Sequence, residues 1–179
     1  MKRLFSLLIG TCLLVSASIF AAEPIHVTIS GPNGNIAGEL ADGSIEGLAY
    51  QHEIVTPRDP ASGLATGRRQ HKPLTLVKPI DRATPHLYEA LAKNRKIDDV
   101  ILKFYRKDPK TGAMTHYYTI QLVDAFVTSV RGWKPNTRDL SADRAGDLEE
   151  VSFYYREIRG TTEGEGGTTT EDTWSQDSA

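Results

Sequence analysis

Cysteine is nearly missing from this sequence: of 179 residues only Cys12 carries a thiol, inside an apolar N-terminal run. If residues 1–22 are removed, no cysteine remains. That excludes a disulfide framework, a thiol nucleophile and a cysteine-ligated metal. Metal-ligand spacing is missing too. His26, His52, His71, His86 and His116 form no helical i, i+4 pair and read as strand-face or surface residues. There is no Gly-x-Ser-x-Gly elbow and no phosphate-cradling glycine loop. Asp98-Asp99, Glu149-Glu150 and Glu171-Asp172 are adjacent carboxylates, which point to opposite faces of a strand. They therefore form no acid/base dyad and read as solvated charges. The sequence predicts no catalytic centre and no cofactor.

A large charge of one sign is also missing. The whole chain holds 21 Lys and Arg against 23 Asp and Glu; without Lys2 and Arg3 the balance is 19 against 23, or −4. Nucleic-acid binding rests on phosphate neutralisation, so this balance excludes it as a partner. Charge is nonetheless segregated. Residues 161–179 hold Glu163, Glu165, Glu171, Asp172 and Asp177 with no Lys or Arg, whereas Arg68, Arg69, His71 and Lys72 lie in five positions. Complementary patches of this kind can join neighbouring copies.

The N-terminus has the layout of a secretory signal peptide. Lys2 and Arg3 precede an uncharged apolar run from Leu4 to Phe20, and Ala21-Ala22 stand before Glu23-Pro24. Cleavage near Ala22 would leave 179 − 22 = 157 residues, one domain with its own core and no membrane span. Ile19 or Phe20 falls third from the cut and is not small, which leaves the bond unfixed. A single-pass anchor and a lipid-modified Cys12, here preceded by Thr11, are the competing readings.

The rest is patterned mostly for strands. Ile25, Val27 and Ile29 alternate with polar residues before the turn Gly31-Pro32-Asn33-Gly34. A second strand is predicted from Ser44 to Val55, then a polar loop over 56–71, then a strand carrying Leu74, Leu76 and Ile80. One helix is predicted, with Thr84 as its cap and Pro85 in its first turn. Leu87, Ala90 and Leu91, with Tyr88, form its apolar stripe, and Lys93, Arg95 and Lys96 favour its C-terminal dipole. Strands follow at Val100–Phe104, Tyr117–Val130 and Val151–Ile158, with a turn at 108–112 and a polar connection at 136–147. Many short strands and one helix predict a small antiparallel β-barrel or sandwich with a flanking helix. The predicted boundaries are a leader over 1–22, a barrel domain over 23–160 and an acidic tail over 161–179. Trp174 is expected to dock that tail on its own barrel or a neighbour's.

Three segments together carry a family resemblance. They are Thr66-Gly67-Arg68-Arg69-Gln70-His71-Lys72-Pro73-Leu74-Thr75-Leu76-Val77-Lys78, Leu148-Glu149-Glu150-Val151-Ser152-Phe153-Tyr154-Tyr155, and Gly166-Gly167-Thr168-Thr169-Thr170-Glu171-Asp172-Thr173-Trp174. The chain resembles the Hcp (haemolysin-coregulated protein) family of type VI secretion. The resemblance implies homohexameric rings that stack into a secreted tube, shelter effector proteins and meet other components of the secretion machine. It also implies that Arg68, Arg69 and Lys72 contribute contacts between subunits or stacked rings. A signal peptide does not belong to that pattern, because tube proteins assemble in the cytoplasm. Either the start codon is misassigned and the tube is cytoplasmic, or this is an exported, periplasmic or secreted form, with a binding module as the alternative function.

Overall fold

The computed structural model describes residues 24–134, 136, 138, 146–164 and 166–173. The leader, most of the 136–147 connection and Trp174 lie outside these. The elements are β1 (Ile25–Gly31), β2 (Gly34–Ile36), β3 (Ile45–Gly47), β4 (Ala49–Gln51), β5 (Ile54–Val55), β6 (Gln70–His71), β7 (Leu74–Pro79), α1 (Thr84–Ala92), β8 (Lys96–Lys107), β9 (Met114–Trp133), β10 (Leu148–Thr162) and β11 (Thr169–Thr173).

The main sheet runs β2-β1-β8-β9-β10-β7-β4, and every pairing in it is antiparallel. The alternation predicts one strand over Ser44–Val55, but the structure divides that segment. β3 pairs with β1 through Ile45↔Val27 and Gly47↔Ile25, while β4 pairs with β7 through Tyr50↔Leu76. One short stretch therefore bonds to β1 on one side and to β7 on the other, which draws the two ends of the row together into a barrel. The crossing point is tight. A Cβ on Gly47 would sit 2.9 Å from the Leu76 side-chain end and 3.1 Å from Ile25 Cβ, so any larger residue there would force its neighbours to shift.

Period-two burial fills the barrel. Ile25, Val27 and Ile29 of β1 meet Val100, Leu102 and Phe104 of β8, and Val151, Phe153 and Tyr155 of β10. In β9 the buried positions shift from Ile120 and Leu122 to Ala125 and Val127, three apart at the step rather than two. Asp124 sits at that step with φ of +51°, a left-handed conformation that Asp tolerates better than most, while the register to β8 and β10 continues across it. Its carboxylate accepts from Lys96 Nζ at 2.7 Å and Arg156 Nε at 2.6 Å, which belong to the strands on either side. Those two cations hold it below the usual carboxylate range.

The helix forms where its pattern places it, with Leu87 and Ala90 buried, Leu91 partly buried and Tyr88 exposed. Two details differ from expectation. Ala83, not Thr84, is the N-cap residue, and no side chain caps it. The Thr84 hydroxyl instead donates to Glu149 Oε1 at 2.8 Å. Lys93 and Arg95 lie past the last turn and pair with Glu89, while Lys96 opens β8.

The third inward position of β7 is a lysine, not Ile80, which is exposed. Lys78 follows Leu74 and Leu76 in the same register and is fully buried, as is Glu149, which shares the inward face with Val151 and Phe153. Lys78 Nζ lies 2.7 Å from Glu149 Oε1, from Asp81 Oδ1 and from the Pro79 carbonyl. This corrects the reading of Glu149 as a solvated charge. A wholly buried carboxylate is retained because a buried ammonium stands against it.

Candidate assembly surface

The segment over 56–71 is not a structureless loop. β5 and β6 pair through Ile54↔His71 and Val55↔Gln70, and Arg58 bridges Ala65 further out. At the far end Asp59 Oδ1 accepts from the Ala61 and Ser62 amides, Gly63 turns with φ of +69°, and Arg58 Nη1 donates to the Gly63 carbonyl at 2.9 Å. The result is an ordered, exposed arm. It carries Leu64 near its tip with 70% of its surface accessible.

The predicted contact residues separate on this arm. Arg68 and Lys72 are exposed at its base. Arg69 is engaged within its own chain: its guanidinium donates to Asp172 Oδ1 and, at 3.4 Å, to the Thr173 carbonyl. The 161–179 segment is therefore not a tail throughout. After a turn at Gly164 and Gly166, both at positive φ, Thr169–Thr173 returns as β11 along β10, with Asp172 opposite Ile158. Trp174, the fourth candidate, lies outside the described residues.

Sequence reasoning missed the group beneath the arm. His71, expected on a surface or strand face, is buried. Its Nε2 lies 3.1 Å from Asp172 Oδ2 and its Nδ1 lies 2.9 Å from the Tyr155 hydroxyl, which is also 2.5 Å from His52 Nε2. Burial, followed by the Asp172 charge, pushes the Tyr155 phenol above its ordinary value, so it keeps its proton. Beside this group a groove of about 270 Å³ opens between Tyr50, His52, Ile54, Tyr118, Ile158 and Asp172. The available signal was the alternation itself: Tyr155 shares the inward register of Phe153 and needs a partner for its hydroxyl.

Burial and the neighbouring His71 lower His52 below its ordinary value of 6.5. The folded state then binds fewer protons than the unfolded chain below that value. The contribution is full above it and is lost as pH falls toward the depressed folded value. Urea midpoints measured from about pH 7.5 to 5 should drop in the wild type and drop less in His52→Gln. Equal slopes in the two proteins would refute the assignment.

Among the described residues no group of three or more His, Cys, Asp or Glu is placed to hold a metal ion. A closed barrel with an ordered arm is architecture suited to contacts between proteins, so the class defined here is a structural β-barrel subunit. The profile of the family described as "Type VI secretion system effector, Hcp" matches residues 26–161. A "Major exported protein" of Pseudomonas aeruginosa is 34% identical over 168 residues, covering 86% of this chain and 96% of that protein. The structure reported as "Crystal structure of Hcp protein" aligns with a TM-score of 0.79 at 27% identity, covering 87% of this chain and 99% of the other. "Secreted protein Hcp3 from Pseudomonas aeruginosa" aligns with a TM-score of 0.68 at 26% identity, covering 86% and 99%. The chain belongs to the Hcp family of type VI secretion. It is a structural tube or ring component of that system, and the family is not one of enzymes.

Proposed function

We propose that the chain closes into homohexameric rings that stack into a tube, shelter effector proteins and leave the cell with them. The observation that carries this is a projecting arm on a barrel in which, among the described residues, β2 and β11 are each paired on one side. Edge strands need a cover, and identical neighbours supply one. Apolar and backbone contacts hold such a ring, and Arg68 and Lys72 tune how rings meet. Exposed ion pairs contribute about 0–1 kcal/mol each. Reversing Arg68 and Lys72 to Glu should therefore weaken ring–ring association up to roughly tenfold, most at low salt. Sedimentation of both proteins reads this. A wild type that remains one chain heavy at high concentration rejects the ring, and an unchanged variant rejects the role of the two cations.

The charged start, apolar run and Ala21-Ala22 support export through a leader cut near Ala22. N-terminal sequencing of the protein from fractionated cells should begin after that alanine. Intact Met1 on the cytoplasmic protein would reject the cleaved leader, and a cytoplasmic N-terminus downstream of Met1 would favour the misassigned start. The groove beside Tyr50 and Ile54 favours the second reading, a periplasmic binding module. A monomeric mature mass with a ligand in that groove would support it.

A further inference from the structure

We infer that Asp172 is the positioning residue of the arm, so that the last strand of the chain sets where the arm stands. The inference rests on the assembly reading for its consequence but not for its geometry. β5 and β6 form a two-stranded sheet of their own, separate from the barrel sheet. Among the described residues no ladder joins strands of the two sheets, so the arm's direction rests on its short connections to β4 and β7 and on side chains. They converge on two points. Asp172 divides its oxygens, Oδ1 receiving Arg69 and Oδ2 receiving His71 Nε2 at 3.1 Å. The Tyr155 oxygen of β10 meets His71 from one root of the arm at 2.9 Å and His52 from the other at 2.5 Å.

Partner chemistry orders the protons. A carboxylate only accepts, so His71 Nε2 carries the hydrogen toward Asp172. The Tyr155 hydroxyl can donate one hydrogen bond and accept others, which lets one oxygen meet His71 Nδ1 and His52 Nε2 together. β11, in turn, is anchored to the barrel by its ladder with β10, from Glu157↔Thr173 to Thr161↔Thr169. The arm has no such ladder to the barrel sheet among the described residues, and it is clasped to the placed strand through Asp172. A second copy that meets the arm reads an orientation written by Asp172.

Limited trypsin digestion of the purified protein, followed at the bond after Arg68, tests the clasp, with sedimentation in parallel. Asp172→Ala should speed that cleavage roughly tenfold, because the arm opens locally while the barrel stays folded. Asp172→Asn should fall between, since its amide oxygen still accepts from His71. Arg69→Gln removes one half of the clasp without touching β11 and should also speed cleavage. It carries the test if Asp172→Ala fails to fold. Cleavage at the wild-type rate in Arg69→Gln, or in a folded Asp172→Ala, overturns the inference. Digestion in the expected order, with a wild type that never exceeds one chain in mass, supports the clasp and rejects only the assembly reading.

Discussion

Lys78→Met should lower the unfolding free energy by about 3–5 kcal/mol, the range for removing one partner of a buried ion pair. The side chain is fully buried with Glu149, and Asp81 shares its ammonium. Methionine fills a similar volume but leaves two carboxylates in a site built for a cation. Glu149 is poorly placed to adapt, since among the described residues its Oε2 has no hydrogen-bond partner. Adding Glu149→Leu to the lysine variant should recover a large part of the loss, because an apolar pair needs no hydration. Urea unfolding of the three proteins decides it. A single-variant loss under about 1 kcal/mol would show that water reaches the cluster.

Tyr155→Ala should cost about 3–5 kcal/mol, and Tyr155→Phe about 1–3 kcal/mol. The ring fills the barrel beside Phe153, and alanine leaves a cavity there. Phenylalanine keeps the packing but strands His71 Nδ1 and His52 Nε2 without their shared partner. The difference between the two variants separates packing from hydrogen bonding. A Tyr155→Phe loss near zero would mean that the hydroxyl contributes nothing, contrary to its contacts.

Most of the barrel was legible because inward and outward residues alternate with little interruption at Ile25–Ile29, Val100–Phe104 and Val151–Tyr155. The helix was legible through Pro85 and the spacing of Leu87, Ala90 and Leu91. The failures have physical causes. Ser44–Val55 reads as one strand, but Gly47 lets the chain change partners within it. Thr84 is a good cap by residue type, yet the buried Glu149 claims its hydroxyl. Lys78 and Glu149 each look solvated alone, and only a pairing between β7 and β10 brings them together. Arg69 meets an acidic strand of its own chain, a pairing that only the return of β11 along β10 makes visible. Local pattern reports which face a residue takes, while long-range pairing decides whether a charge on that face finds its opposite.

The closing of the barrel by β3 and β4 has a kinetic meaning. His26 of β1 must find Lys103 of β8, and Pro79 of β7 must find Leu148 of β10, before that short segment has two edges to join. Contacts so distant along the chain form late and slowly. A chain emerging N-terminus first would hold β1 and β7 unpaired until β8 and β10 arrive. Throughout that delay Ile25, Val27, Leu74 and Leu76 offer sticky, half-made sheet. A carrier that shields these segments during the wait would raise the yield of folded barrel, whereas a brief pause in synthesis after β7 would lower it.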